Sequence, residues 1–169
     1  MKANIGLTDK NAKTVAVLLN NLLADEQILY AKTRNYHWNY EGDNFMEMHK
    51  FYEGQYDELA EMIDEIAERI RMIGHYAEGR LKDFLKLARL FEPNYTTDQN
   101  EQVKNLTDDH ETIIRILRKD IETTGKLDAG TTDLLTKILE QHEKMAWMLR
   151  SYLPHTRLQG NRNKKFSLS

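Results

Sequence analysis

The sequence predicts an all-α protein: four long helices in a bundle, with one long connection crossing between two helix pairs. Three observations predict it. Punctuation is sparse, with 8 Gly and 2 Pro in 169 residues, too little for a chain of many strands and tight turns. Apolar residues recur at three- and four-residue steps through four separate stretches, the period of a helix that buries one face. The one sizeable gap between those stretches lies in mid-chain. At this length, residues 1–169 are expected to form a single domain.

The first helix is expected from about Thr8 to Tyr36. Thr8 or Asp9 can cap it, and Val15, Leu18, Leu22, Leu29, Thr33 and Tyr36 share a face. The second starts after Glu41-Gly42-Asp43, where Asp43 or Asn44 is the expected N-cap. It carries Phe45, Met48, Tyr52, Tyr56, Leu59, Ile63, Ile66 and Ile70, and Gly74 marks its end. A connection from about His75 to Asp98 follows, with Gly79, Pro93 and one short amphipathic piece, Leu81 to Leu90. The third long helix runs from about Gln99 to Thr124 and is ended by Gly125. The fourth follows Gly130, with Thr131 or Thr132 as cap, and stops before Pro154. Two helices, a crossover with a short helix, then two more: ferritin-like four-helix bundles have this connectivity.

Composition narrows the function. The chain has no Cys, so it has neither a disulfide framework nor a thiolate metal site. The apolar run Val15 to Leu19 is broken by Asn20-Asn21, too short for a signal peptide or a membrane span. A cytoplasmic protein with no membrane partner is expected. Net charge is −3, yet no acid follows Glu143. The last segment, about 154–169, is a basic C-terminal tail, and Arg157, Arg162, Lys164 and Lys165 are candidate contacts to a polyanion such as DNA.

The densest chemistry lies between His37 and Glu68. With His49 at zero on a helical wheel, Glu53 falls at about 40°, Asp64 at about 60° and Glu68 at about 100°. The apolar stripe of the same helix centres roughly 110° away, so these four groups face out of their own bundle. Glu53 and Asp64 stand about 16 Å apart along the axis, whereas metal–ligand bonds are about 2 Å. One ion cannot reach both ends. A second copy of the helix, antiparallel across a two-fold axis between Glu58 and Leu59, brings His49 opposite the other chain's Glu68 and Glu53 opposite its Asp64. Ala60 and Ala67 on this face are small enough for close approach. A hairpin through Asn39–Gly42 would return His37 to the neighbourhood of His49. Each of two equivalent sites would then hold His37, His49 and Glu53 from one chain and Asp64 and Glu68 from the other. Such a mixed nitrogen–oxygen set suits Fe(II) and small oxidants.

At these residues the sequence resembles a known family. His37-Trp38-Asn39-x-x-Gly42-x-x-Phe45-x-x-x-His49, followed by Asp64-x-x-Ala67-Glu68-Arg69, is similar to the signature of the Dps proteins, the mini-ferritins called DNA-binding proteins from starved cells. Asp133 and Lys144-x-x-Trp147 also fit, and the similarity spans essentially the whole chain. The resemblance implies a hollow homo-dodecamer built from two-fold dimers. It implies oxidation of Fe(II), preferably by hydrogen peroxide, with two iron ions per inter-subunit site and ferric mineral stored inside. It assigns the ligands to His37, His49, Asp64 and Glu68, and makes Trp38 the accessory aromatic that absorbs stray oxidising equivalents. The family usually has Asp where Glu53 stands, so this carboxylate has an arm one methylene longer. Non-specific DNA binding and association with the nucleoid are expected of such a shell, through phosphate contacts that weaken with salt. Asp133 and Glu140 are candidates for acidic pore linings.

Two other readings compete. A structural, DNA-compacting shell could carry the same bundle with little ferroxidase activity. An intrabundle di-iron oxidase would need Glu-x-x-His on two helices, and no Glu in this chain is followed by His at the third position. The remaining histidines, His75, His110, His142 and His155, are read as ordinary helix or loop residues.

Overall fold

A computed structural model describes residues 3–154. The described residues form five helices: α1 (Asp9–Asn39), α2 (Phe45–Met72), α3 (Leu81–Leu87), α4 (Gln99–Thr124) and α5 (Ala129–Arg150). α1 packs along α2 and α4 along α5, giving two antiparallel hairpins, while α3 lies against α1 in the crossover. The four-helix bundle with a crossover helix is thus present. Its core is one continuous cluster drawn from all five helices.

Helix ends follow local hydrogen bonding. Thr8 caps α1 by accepting from the Asn11 N–H at 3.2 Å, which satisfies one of the donors a helix start leaves free. α1 runs three residues past its expected end, so His37, Trp38 and Asn39 are helical and the turn is only Tyr40–Asn44. Asn44 sits at the N-cap of α2 but makes no capping bond, because its side-chain oxygen accepts from the Tyr40 hydroxyl instead. That hydroxyl also lies 3.1 Å from Gln99 at the head of α4. A Cβ on Gly42 would fall 2.2 Å from the Tyr40 hydroxyl oxygen, so a larger residue here would push the Tyr40 ring aside. Gly74, with φ of +90°, ends α2 in the left-handed conformation glycine favours.

Two boundaries differ from the sequence reading. α3 stops at Leu87 rather than Leu90 because the N–H groups of Arg89 and Leu90 turn to the buried carboxylate of Asp25, at 2.5 and 3.3 Å. α5 starts at Ala129 with Asp128 at the cap position, not Thr131 or Thr132. Asp128 accepts instead from Thr131 at 2.5 Å and from Arg69 at 2.6 Å. Burial raises the pKa of Asp128, but the Thr131 and Arg69 hydrogen bonds and the Arg69 charge outweigh it and hold the carboxyl below its ordinary value. Gly130 therefore lies inside the first turn of α5. Its missing Cβ leaves room for the Arg69 guanidinium, which would otherwise be 2.9 Å away.

Further ties join the hairpins. Lys32, buried on α1, donates to the Phe91 carbonyl at 2.6 Å and pairs with Asp109 of α4. Asn105 donates to the Tyr36 hydroxyl at 3.0 Å. No helix among the described residues is long and apolar enough to cross a membrane.

Candidate metal centre

The end of α1 and the start of α2 bring two imidazoles together. The His37 and His49 rings stack with centroids 3.6 Å apart and planes 20° from parallel. His37 Nδ1 lies 2.7 Å from the His49 carbonyl oxygen, and His49 Nδ1 lies 2.9 Å from the His37 carbonyl oxygen. A carbonyl oxygen only accepts, so each Nδ1 carries the hydrogen. In the neutral rings each Nε2 is then a bare lone pair, the form a metal binds. The pair is clamped by aromatics: Phe45 stacks on His49 at 5.1 Å, and the edge of Tyr56 meets His37 at 5.2 Å.

The expected carboxylates lie on the outer face of α2. Glu53, Asp64 and Glu68 are exposed, His49 is partly buried and His37 is buried. Small Ala60 is exposed and Ala67 partly so, between the acids. Within one chain, His37 and His49 meet, while no group of three or more His, Asp or Glu able to hold a metal forms among the described residues. The sequence reading expected one chain to supply only half of each site. Glu68 and the neighbouring Arg69 point to different tasks. Arg69 is tied to Asp128 and Thr131, which fixes the end of α2 against α5.

The Arg34 guanidinium packs over three rings, Tyr30 at 5.5 Å, Tyr56 at 5.5 Å and Trp38 at 4.9 Å. It also donates to the Tyr30 hydroxyl at 3.1 Å, and Tyr30 meets Tyr56 edge-on. Trp38 is itself 61% exposed. Arg34 escaped the sequence reading, and Tyr56 was read there only as part of the apolar stripe of the second helix. The signal for Arg34 was spacing: positions 30, 34 and 38 stack one turn apart on α1. Burial first, then the charges of Glu53 and Asp57, raise the Tyr56 hydroxyl above its ordinary value. Asp133 and Glu140, candidate pore residues, are exposed on α5. Arg157, Arg162, Lys164 and Lys165, the candidate DNA contacts, lie outside the described residues, as does His155.

A second polar cluster was missed altogether. Glu26 of α1, His142 of α5 and His110 of α4 are all fully buried. Glu26 follows Leu22 by four residues and precedes Leu29 by three, so an acid in the core register was the available signal. His142 Nε2 lies 2.8 Å from Glu26 Oε1, and His142 Nδ1 lies 2.8 Å from His110 Nδ1.

Comparison with known proteins places this architecture. Residues 16–158 match the ferritin-like domain. A low temperature-induced protein of Nostoc is 44% identical over 90% of this chain and 87% of its own length. A DNA protection during starvation protein of Porphyromonas gingivalis is 38% identical over 87% of this chain and 93% of its own length. The Dps crystal structure from Vibrio cholerae, described as a ferritin-like diiron-carboxylate protein, superposes with a TM-score of 0.87 at 34% identity, over 91% of this chain and 98% of that one. Given that breadth of match in both sequence and fold, the chain belongs to the Dps branch of the ferritin-like proteins.

Proposed function

We propose that this protein takes up Fe(II) at sites shared between two subunits, oxidises it with hydrogen peroxide and stores the ferric product inside a hollow dodecamer. The observation that carries the reading is the hydrogen bonding of the histidine pair. Both Nδ1 hydrogens are engaged by backbone carbonyls, so both Nε2 atoms are left for iron on a helix whose outer face bears Glu53, Asp64 and Glu68. The diiron-carboxylate character of the Vibrio relative supports iron as the substrate.

The chemistry follows from that donor set. Two ferrous ions each give one electron to peroxide. The O–O bond breaks, and two protons complete two water molecules, so no hydroxyl radical is released. His37 and His49 hold and orient the iron. Glu53, with Asp64 and Glu68 of the facing copy, neutralises charge as it rises from ferrous to ferric. Trp38 stands beside the site as a sacrificial electron donor. The reading extends to DNA protection, as the name of the Porphyromonas relative suggests. Arg157, Arg162, Lys164 and Lys165 would contact phosphates without sequence preference, and cytoplasmic, nucleoid-associated placement would follow.

The test uses two inactive variants, His49→Ala and Glu68→Gln. In a mixed two-fold dimer one site lacks both residues and the other keeps both. Co-assembled in equal amounts, the variants are expected to recover about a quarter of wild-type peroxide-dependent Fe(II) oxidation, since half of the dimers are mixed and each has one whole site. No recovery above the separate variants would exclude a shared site. Full rates in each variant alone would exclude these residues as ligands.

A further inference from the structure

The buried Glu26–His142–His110 cluster is remote in kind from the iron ligands: its donor and acceptor atoms face each other, not solvent. It spans α1, α5 and α4 and so fastens the first hairpin to the second. Glu26 Oε2 and His110 Nε2 have no partner, and all three side chains are at 0% exposure. Each of the two contacts needs one hydrogen. Glu26 can accept from His142 Nε2–H, and one of the two facing Nδ1 atoms donates to the other.

That second contact limits how many protons the cluster can hold. An imidazolium carries N–H on both nitrogens and accepts nothing. If both rings are charged, two N–H groups confront one another where 2.8 Å now separates donor from acceptor. Two positive rings would also share a wholly buried space with a single carboxylate, and unbalanced buried charge is costly. We propose that Glu26, His142 and His110 form an acid-operated latch, which fastens α1 to the α4–α5 hairpin while at most one imidazole is charged and lets go when both are.

The surroundings offer no relief for a second charge. On α1 the adjacent Asp25 is occupied by the Arg89 side chain at 2.6 Å and by the backbone of Arg89 and Leu90, and Lys32 is paired with Asp109. The polar members of the buried face of α2 are Tyr52 and Gln55, uncharged at neutral pH. Burial raises the Tyr52 hydroxyl far above its usual range. On α4 the other buried acid is Asp120, raised by burial and lowered by Arg89. Asp109 is likewise raised by burial against the pull of Lys32. On α5 His142 is the buried titratable group, and α3 contributes only Phe84. Burial, and then the neighbouring His142, hold His110 well below the ordinary imidazole value of 6.5.

The sign of the pH effect follows. In the unfolded chain His110 gains its proton as pH falls through about 6.5, and in the folded chain it does not. The unfolded state then binds more protons, so stability rises with pH across this window. The latch contributes fully above pH 6.5 and is lost progressively below it.

Urea unfolding of the assembled protein between pH 7.5 and 5 tests this. The wild-type folding constant per subunit should fall by up to about tenfold per pH unit below 6.5, relative to His110→Gln. The variant keeps Asp109 and Asp120, so their titration cancels in the difference. Wild-type and variant curves that run parallel with pH would overturn the latch. If His110→Gln fails to assemble, His142→Gln removes the opposed N–H pair but leaves His110 buried, so it should make the loss with falling pH shallower without abolishing it; an unchanged slope there overturns the proposal as well.

Discussion

Two histidine–carboxylate groupings sit in this bundle, and they differ in which atoms are left free. At the α1–α2 corner the side-chain nitrogens that could bind iron are spare, because backbone carbonyls take the other two. The carboxylates stand apart from them, exposed along α2. In the core, Glu26, His142 and His110 spend their facing atoms on one another. The same residue types therefore leave both imidazoles open to an outside partner in one place and bond them to each other and to a carboxylate in the other. What separates them is the partner each Nδ1 finds, not the composition.

The widest break between the two is expected in stability. His142→Ala leaves Glu26 buried without a partner and should cost about 3–5 kcal/mol of folding free energy, measured by urea unfolding at pH 7.5. Its Fe(II) oxidation, assayed on the folded fraction, should stay within about twofold of wild type. The converse substitution sharpens the contrast. His49→Ala should cut peroxide-dependent Fe(II) oxidation by at least about 100-fold, beyond what loss of a ligand's supporting bond commonly costs, while the thermal midpoint moves far less than in His142→Ala. The smallest effect should come from the outer face itself. Lys144 lies 3.6 Å from Glu58, with the lysine exposed and the glutamate partly so; Lys144→Ala should change stability by no more than about 1 kcal/mol. A large loss there would mean that the pair is buried against another copy.

The sequence made the surface grouping legible and hid the core one. His49, Glu53, Asp64 and Glu68 repeat on a helical period, and that period alone shows that they share an outward face. Glu26 was passed over because an acid in an apolar register breaks the pattern that finds cores. Its burial depends on a histidine more than a hundred positions away, which no local period can announce. Helix boundaries missed for a related reason. α3 shortens and α5 lengthens because Asp25 and Asp128 capture groups from other segments, and such long-range bonds override local punctuation.

Gly42 touches neither imidazole, yet it has a hold on both. The hydrogen bonds that aim the His37 and His49 rings come from main-chain oxygens. Their aim is inherited from the path of the corner, where a side chain at residue 42 would strike the Tyr40 ring. The vulnerability of the imidazole pair thus lies partly in the backbone beside the rings. A descendant of this protein could keep both imidazoles and still lose their aim to a single methyl group gained at the bend.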